Sequence, residues 1–428
     1  MTYPEAIDFL YRLGSFGTKL GLENTFALAR LNGNAHEKLR FIHVAGTNGK
    51  GSTCAMLESI YRAQGLRTGL FTSPHLVSFT ERIQVNRACI SEEEVARLSD
   101  RLIQSLGGKE TSAWHFQPTF FEFVAVMGLL YFKEQWCDVV IWETGMGGRL
   151  DATNIVSPLA SVITNVQLDH QQWLGSTLEL IATEKAGIIK PGVPVITGAW
   201  EPALGVIRKT AATEGSPLIE ISKGAKMPAG FPMLGEHQRR NAAVALATIE
   251  VLQREIPVSE ASVMRGLKTV NWPGRLQVVR RGETEILLDG AHNPDGARAL
   301  AAALETHFSG RRFTLILGLF GDKSWREVCE SLVPVAARVL LVPLPSPRTA
   351  DVNAVRDFCS SRWPGVRIEA FESVVAAIEN SHAEPFRVIT GSLHLVGEAM
   401  EVLGVSPGGK SERGLNEWDA ARHGVTST

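Results

Sequence analysis

The chain is poor in cysteine, and its few cysteines show no arrangement that would organise a fold or a metal site. The five are Cys54, Cys89, Cys137, Cys329 and Cys359. Their number is odd, they are scattered, and none forms a C-x-x-C pair, which argues against a disulfide framework and against a zinc site. We therefore expect reduced thiols, as in a cytoplasmic protein.

The sequence also lacks a charge excess, a leader and a long hydrophobic run. Its 43 lysines and arginines balance 45 aspartates and glutamates, for a net charge of −2, so nothing indicates nucleic acid as a partner. The first residues, MTYPEA, contain no basic region followed by an apolar stretch. The longest apolar run, 124–132, is too short to cross a bilayer. We expect no nucleic-acid partner, no membrane partner and a cytoplasmic location.

The most informative stretch that is present is a glycine-rich turn with a single lysine. Residues 43–53 read HVAGTNGKGST, between a strand-like segment at 39–42 and a helix-like segment at 54–61. Such a turn cradles phosphate, because backbone N–H groups at the helix start face the anion and the lysine neutralises the outer phosphates. The segment predicts a nucleoside triphosphate as ligand.

The match to the common P-loop pattern is incomplete. Val44 stands where that pattern has its first glycine, and Gly51 directly follows Lys50, where the pattern has Ser or Thr. The first hydroxyl comes one residue later, at Ser52. The usual contact of that hydroxyl with magnesium is therefore in doubt, and the alternative is a glycine-rich turn with a solvated lysine.

The patterning of the 428 residues predicts two α/β domains. Alternating strand-like and helical runs are typical of a mainly parallel sheet covered on both faces. The first unit extends to residue 271, a Pro-Gly linker follows at 272–275, a smaller unit occupies 276–405, and 406–428 is expected to be loosely held. Strands are predicted at 41–44, 68–71, 139–142, 160–164, 193–197, 285–288, 313–317, 339–342, 366–370 and 387–390.

Polar clusters follow several of these strands, at the edge where open parallel sheets bind ligands. They are TSPH at 72–75, ETGMGGRLD at 143–151, Asn165 with LDH at 168–170, and DGAHNP at 289–294. A carboxylate that ends an apolar strand is costly to bury unpaired, which makes Glu143 a candidate magnesium ligand. Taken singly, each of the remaining candidates has an ordinary structural interpretation. His170 is typical of a loop histidine, Lys185 is typical of a surface lysine, and TFFE at 119–122 is typical of the core side of a helix.

As a set, these segments resemble the folylpolyglutamate synthases, many of which are also dihydrofolate synthases, in the Mur ligase superfamily of ATP-dependent amide-bond ligases. The matching segments occur in the family's order: HVAGTNGKGS (43–52), TSPHLVSFTERI (72–83), ETGMGGRLDATN (143–154), DH (169–170), EKAGIIK (184–190), PGR (273–275), DGAHNP (289–294) and GSLH (391–394). Asn24 stands where the family usually has arginine.

The resemblance implies a doubly wound P-loop ATPase domain, a Rossmann-like second domain and ATP in the cleft between them. It implies catalytic roles for Lys50, Lys185 and His292, with Lys185 carbamylated. The magnesium ligands, for one or two ions, would be Ser73, Glu143 and His170. The nucleotide-binding residues would be Thr47, Asn48, Gly49, Lys50, Gly51, Ser52, Asn241, Arg275 and Asp289. The acceptor-binding residues would be Ser15, Phe16, Gly17, Thr18, Thr119, Phe120, Phe121, Glu122, Leu150, Asp151 and Ala152.

The reaction implied is phosphorylation of a carboxylate by ATP, followed by attack of the L-glutamate amine on the acyl phosphate. The acceptor would be folate, dihydropteroate or both, and the family expectation is a monomer. One alternative is a Mur-type ligase acting on a UDP-linked cell-wall peptide, which the segment 143–154 disfavours. Another is a P-loop ATPase that makes no covalent product. A nicotinamide oxidoreductase is disfavoured because the first glycine turn carries a lysine and lacks G-x-G-x-x-G.

Overall fold

The computed structural model describes residues 1–14, 21–108, 111, 114–406, 409 and 411–416, and these form two α/β domains, each built on one sheet. The first domain contains helices α1 (Tyr3–Gly14), α2 (Glu23–Leu31), α3 (Lys50–Ala63), α4 (Glu92–Ser105), α5 (Phe120–Glu134), α6 (Gln171–Leu174), α7 (Leu178–Ala186), α8 (Ala203–Thr213), α9 (Glu236–Val251) and α10 (Glu260–Thr269). Its strands are β1 (Phe41–Ala45), β2 (Thr68–Phe71), β3 (Ile83–Val85), β4 (Ala88–Cys89), β5 (Val139–Glu143), β6 (Ala160–Ile163), β7 (Val195–Thr197) and β8 (Leu218–Glu220).

The second domain is smaller. Its helices are α11 (Pro294–His307), α12 (Trp325–Leu332), α13 (Val352–Arg362), α14 (Val374–Asn380) and α15 (Leu393–Val402). Its strands are β9 (Gln277–Arg281), β10 (Thr284–Leu288), β11 (Thr314–Leu317), β12 (Arg338–Leu341), β13 (Arg367–Ala370) and β14 (Phe386–Thr390).

Both sheets are mainly parallel with an antiparallel edge. The first has the order β4-β3-β2-β5-β1-β6-β7-β8, and only the β2–β3 and β3–β4 pairs are antiparallel. The second has the order β13-β12-β11-β14-β10-β9, with β9 antiparallel to β10. The α/β fold class predicted from the alternating pattern is confirmed. All ten predicted strands are present with ends shifted by at most two residues.

Helices cover both faces of each sheet, which explains why the central strands are apolar throughout. In β1 and β5 every residue is buried, as expected for strands that are covered on two sides. On one face, Trp142 packs against Phe71 with ring centroids 4.3 Å apart and against Phe41 at 5.7 Å. The opposite face packs against α3, α9 and α10.

The short antiparallel strands and some helix starts differ from the sequence-based expectation. The β3–β4 hairpin, β9 and the helix α8 were not predicted. The strands among them have only two to five residues and lie at the sheet edges, so they give little periodic signal. The sequence SEEE at 91–94 is typical of a capping box, but at α4 Ser91 only accepts from the Glu94 N–H, without the reciprocal bond. A full capping box stands instead at Thr119 and Glu122, where plain core was one interpretation.

The described part of the C-terminal segment is packed, not loosely held as expected. Glu412, Leu415 and Asn416 are buried, and the Glu412 carboxylate accepts a hydrogen bond from the Tyr3 hydroxyl at 2.8 Å. These contacts join residues about 400 positions apart, so no local pattern in the sequence reveals them. Within the described ranges, no helix is both long and apolar enough to traverse a lipid bilayer.

Helix α3, which begins with Lys50, lies directly against α10 at Gly266. A Cβ on Gly266 would lie 2.5 Å from the Ile60 Cα atom. Because a backbone atom cannot move aside as a flexible side chain does, any larger residue would push the two helices apart.

Gly266→Ala should therefore lower the free energy of unfolding by about 1–3 kcal/mol, measured by chemical denaturation. The control is Gly14→Ala in α1, where no atom lies within 4 Å of the added Cβ; it should be neutral or slightly stabilising, since alanine favours helix. Equal effects of the two substitutions would contradict this account of the α3–α10 contact.

Candidate active site between the two domains

The polar clusters identified in the sequence meet at one cleft. Strands β2, β5, β1 and β6 are neighbours in the first sheet, so the segments that follow them leave from the same edge. The segment that follows β10 of the second sheet faces them across the cleft. The residues predicted to be catalytic, nucleotide-binding or metal-binding all line it: Thr47, Asn48, Gly49, Lys50, Gly51, Ser52, Ser73, Glu143, His170, Lys185, Asn241, Arg275, Asp289 and His292.

The glycine-rich turn joins β1 to the N-terminus of α3. Gly49 adopts φ +83° immediately before the helix, a conformation that favours glycine. The Asn48 N–H donates to Asn165 Oδ1 at 2.8 Å, which ties the turn to the segment after β6. Lys50 Nζ donates to the Gly46 carbonyl at 3.1 Å. The ammonium therefore lies over its own loop, at the end of α3 where anions are stabilised.

The structure explains why glycine follows Lys50. A Cβ on Gly51 would lie 2.8 Å from the indole ring of Trp272, in the segment that links the two domains. The hydroxyl of Ser52 accepts a hydrogen bond from Gln238 Nε2 at 3.2 Å, and Gln238 accepts one from Asn241 at 3.0 Å. Helix α9 thereby supports the first turn of α3.

Glu143 and Ser73 form a pair whose chemistry suits a divalent cation. Glu143 ends β5, is buried, and accepts from the Ser73 N–H at 3.2 Å. Burial raises the pKa of Glu143 to about 7, against the opposing effect of Lys50. In the described part of the chain, the buried Ser73 hydroxyl has no hydrogen-bond partner. A carboxylate and an unused hydroxyl oxygen are ligands that Mg²⁺ accepts alongside phosphate and water, so these residues fit a magnesium ion.

His170 lies at the start of α6 with φ +50°. Burial lowers its pKa to about 3, so the imidazole is neutral and can act as a ligand. No three His, Cys, Asp or Glu side chains of the described residues cluster as a ready-made metal cage. This is in keeping with a site that recruits a hydroxyl and substrate oxygens.

Lys185, in α7, is not the surface residue that its sequence context alone suggests. Only 3% of it is exposed. Burial, followed by the charge of Lys50, lowers the pKa of Lys185 to about 7. Among the residues described, none forms a hydrogen bond or ion pair with its amine. A substantial fraction of this amine is therefore neutral, and nucleophilic, near pH 7.

The second domain contributes a half-buried arginine, a carboxylate and a histidine. Asp289 follows β10 and accepts from the N–H groups of Leu276 and Ala291, each at 2.9 Å. Burial lowers the pKa of the Arg275 guanidinium, which lies over Gly290: a Cβ there would be 2.2 Å from Arg275 Nη1. His292 Nδ1 donates to the Gly290 carbonyl at 2.9 Å, which leaves Nε2 directed toward the first domain.

Polar contacts to Asp169 connect the two domains across the cleft. Its carboxylate forms an ion pair with Lys323 and lies 3.4 Å from Asn293 Nδ2 and 3.7 Å from His292 Nε2. Burial alone would raise the pKa of Asp169. The nearby His292 side chain and the ammonium of Lys323 outweigh burial and hold that pKa well below its usual range.

Several residues of this cleft were not predicted from the sequence. Lys323 is the clearest, and the signal for it was present: GDKS at 321–324 follows β11, whose end points to the same edge. Gln238 and Asp295 were also missed. Asp295 accepts from Asn48 Nδ2 at 3.0 Å, a contact between domains that only the folded chain shows.

Those residues predicted to bind the acceptor that the structure describes are not among the side chains lining this cleft. Ser15, Phe16, Gly17 and Thr18 lie outside the described residues. Thr119 and Glu122 cap α5, with Asn24 Nδ2 3.5 Å from the Glu122 carboxylate. Phe120, Leu150 and Ala152 also lie away from the cleft, whereas Phe121 packs beneath it: a Cβ on Gly145 would be 2.6 Å from its ring. Asp151 accepts from the N–H groups of Met146 and Thr153. Phe121 and Asp151 therefore support the cleft wall formed by Gly145 and Met146.

Comparison with known proteins shows similarity in both domains. Residues 44–226 match the family described as the Mur ligase middle domain, and residues 274–392 match the Mur ligase, glutamate ligase domain. The dihydrofolate synthase/folylpolyglutamate synthase of Bacillus subtilis is 34% identical, over 94% of this chain and 99% of that protein.

Solved structures agree over almost the whole length. Folylpolyglutamate synthase from Thermotoga maritima superposes with a TM-score of 0.82 at 35% identity, covering 97% of this chain and 99% of that one. Escherichia coli FolC, solved in complex with DHPP and ADP, superposes with a TM-score of 0.84 at 30% identity, covering 94% and 98%. The chain belongs to the folylpolyglutamate synthase/dihydrofolate synthase family of the Mur ligases.

Proposed function

We propose that the protein is an ATP-dependent ligase that adds L-glutamate to a folate, to dihydropteroate, or to both. The observation that carries the proposal is the convergence of three groups on one cleft. These are the Lys50 turn, the Glu143–Ser73 pair and the Arg275–Asp289 pair of the second domain. The names of the relatives, and the ADP and DHPP bound to Escherichia coli FolC, support the same activity.

Phosphoryl transfer is the first step. The triphosphate of ATP would lie at the N-terminus of α3, beside Thr47, Asn48 and Gly49, where the backbone N–H groups of the first helical turn and the Lys50 ammonium would face it. Arg275 and Asp289 would contact the nucleotide from the second domain. Ser73, Glu143 and His170 would hold one or two magnesium ions, which when bound neutralise charge on the transferred phosphoryl group.

Capture of the acyl phosphate is the second step. The glutamate amine would attack the carbonyl carbon of the acyl phosphate formed on the acceptor. The C–N bond of the amide forms, the C–O bond to the phosphoryl group breaks, and inorganic phosphate leaves as the amine loses a proton. Water must be excluded meanwhile, and the contacts of Asp169 with Lys323, Asn293 and His292 keep the two domains together over the cleft. His292, with Nε2 facing inward, is placed to contact glutamate or phosphate.

Lys185 would act as a carbamate. Its amine is buried, lies at the cleft and has a pKa lowered to about 7, so it can add to CO₂ with loss of one proton. The product is a carboxylate-like anion that would support the metal site and offset the positive charge of Lys50.

The acceptor and the assembly state complete the proposal. The acceptor would bind at the residues that the family resemblance implies, 15–18, Thr119–Glu122 and 150–152, of which Phe121 and Asp151 contact Gly145 and Met146 in the cleft wall. We propose a monomer, as the family resemblance implies.

Lys50→Ala should lower ATP turnover by at least about 100-fold, because the charge that develops on the phosphoryl group loses its fixed counter-charge. ADP release measures the effect, and circular dichroism checks that the variant is folded. Lys209→Ala, in exposed α8, is the matched control and should keep full turnover. A folded Lys50→Ala protein with normal turnover would contradict the phosphate-binding role.

Lys185→Ala should lower activity by about 10–100-fold, as is typical for groups that support a metal site. Added short carboxylic acids such as formate or acetate should restore part of it, since they can occupy the position of the carbamate. Lys209→Ala should show no response to these acids. Absence of rescue would argue against the carbamate and leave the ligase assignment intact.

An assay of ADP release with glutamate and each acceptor separately, with products sized by mass, tests the function itself. A mass increase of one glutamate on folate, dihydropteroate or both, with one ADP per bond, is expected. Turnover with a UDP-linked peptide alone would indicate a cell-wall ligase. ADP release without any amide product would indicate a non-ligating ATPase.

A further inference from the structure

The loop that carries Ser73 is held by both domains. It runs from Thr72 to Arg82 and joins β2 to β3 of the first sheet. Its tip residues Leu76 and Val77, however, are buried in the core of the second domain, among residues of β10 and α15. A Cβ on Gly397 of α15 would lie 2.0 Å from the Leu76 carbonyl oxygen. The loop is therefore a fixed link between the domains.

The segment Glu412–Asn416 closes over this loop from the far end of the chain. The Glu412 carboxylate accepts from the Phe79 N–H at 2.7 Å and from the Tyr3 hydroxyl. Its backbone N–H donates to the Val77 carbonyl at 2.8 Å, and its carbonyl lies 3.0 Å from His75 Nε2. Side chain and backbone of one residue thus hold the tip of the loop.

Asn416 holds the base of the same loop, next to Ser73. Its Oδ1 accepts from Arg82 Nη2 at 2.6 Å, and its Nδ2 donates to the His75 carbonyl at 3.0 Å. Arg82 in turn donates from Nε to His75 Nδ1 at 2.8 Å. His75, two residues after Ser73, is thereby fixed through both its backbone and its ring.

Arg82 makes this contact energetically important. The side chain is completely buried, and its hydrogen-bond partners among the described residues, His75 and Asn416, are neutral side chains. Its Nη1 has no partner there, while the ring of Phe120 lies 5.2 Å from the guanidinium carbon. A buried cation with few hydrogen bonds depends strongly on each of them.

We propose that Asn416 is a positioning residue for the magnesium side of the cleft. Through Arg82 and His75 it fixes the loop that presents the Ser73 hydroxyl beside Glu143. The inference rests on the proposed function, in which Ser73 and Glu143 bind magnesium. Asn416 follows α15, the last helix of the second domain, along the chain. It therefore also links the position of the Ser73 hydroxyl to the position of that domain.

The test is the magnesium dependence of Asn416→Ala in the full-length protein. The concentration of Mg²⁺ that gives half-maximal ADP release should rise about tenfold, the equivalent of one lost hydrogen bond to a charged group, with turnover largely recovered at saturating Mg²⁺. Calorimetry with a non-hydrolysable ATP analogue gives a second readout. Its affinity should fall in the presence of Mg²⁺ and change less than about twofold without it.

Two further variants separate positioning from folding. Arg413→Ala, in the same segment, removes the ion pair of Arg413 with Glu401 of α15. It removes no hydrogen bond to the described residues of the Ser73 loop, and should leave the Mg²⁺ dependence unchanged. Asn416→Asp keeps the oxygen that accepts from Arg82 and should give a smaller shift than Asn416→Ala; it serves if the alanine variant does not fold.

The outcomes distinguish this inference from the proposed function. Ser73→Ala should itself raise the Mg²⁺ requirement. If Ser73→Ala does so and folded Asn416→Ala or Asn416→Asp does not, the positioning role is wrong and the magnesium site stands. If Ser73→Ala has no effect, the assignment of Ser73 as a ligand fails. Equal loss of analogue affinity with and without Mg²⁺ in Asn416→Ala would indicate direct substrate contact and overturn the inference.

Discussion

The cleft depends on buried ionisable groups that form no direct ion pair with any described residue. Glu143 is buried with a single backbone N–H as its hydrogen-bond donor among the described residues, and its pKa is raised to about 7. The pKa of Lys185 is lowered to about 7 for the same reason. An uncompensated buried charge costs several kcal/mol, so these groups are far more stable with partners. A divalent cation beside Glu143 and a triphosphate beside Lys50 would supply such partners. Addition of CO₂ would convert the amine of Lys185 into an anionic carbamate. The electrostatics of the cleft thus indicate the ligands that it suits.

The fold makes this arrangement possible by placing the groups on different strands and on different domains. In the first sheet, β2, β5, β1 and β6 lie side by side, and each delivers a polar residue at its end. The second domain contributes Arg275 and Asp289 across the cleft.

The contacts between the domains are of two kinds. On one side, Asp169 makes polar contacts that can break and re-form. On the other side, Leu76 and Val77 are part of the second domain's core.

Much of this could be predicted from the sequence because the relevant signals are local. The turn around Lys50, the carboxylate that ends β5 and the DGAHNP segment after β10 are each read from a few consecutive residues. Their convergence follows from the geometry of parallel sheets.

What could not be predicted depends on contacts between distant segments. The tryptophan that excludes a side chain at Gly51, the burial of Lys185 and the packing of Glu412 and Asn416 all join residues far apart in the chain. The capping box of Thr119 and Glu122 and the contacts of Asp151 with Met146 and Thr153 are likewise visible only once α5 and the turn at 145–151 are packed.

The central claim is that a nucleotide bridges the two domains and completes these charges. The most direct measurement is a crystal structure of the protein with Mg²⁺ and a non-hydrolysable ATP analogue. The account predicts the triphosphate at the N-terminus of α3 beside Lys50, the nucleoside against Arg275 and Asp289, and a cation within bonding distance of Glu143 and Ser73. A nucleotide bound anywhere other than between Lys50 and Asp289 would contradict it.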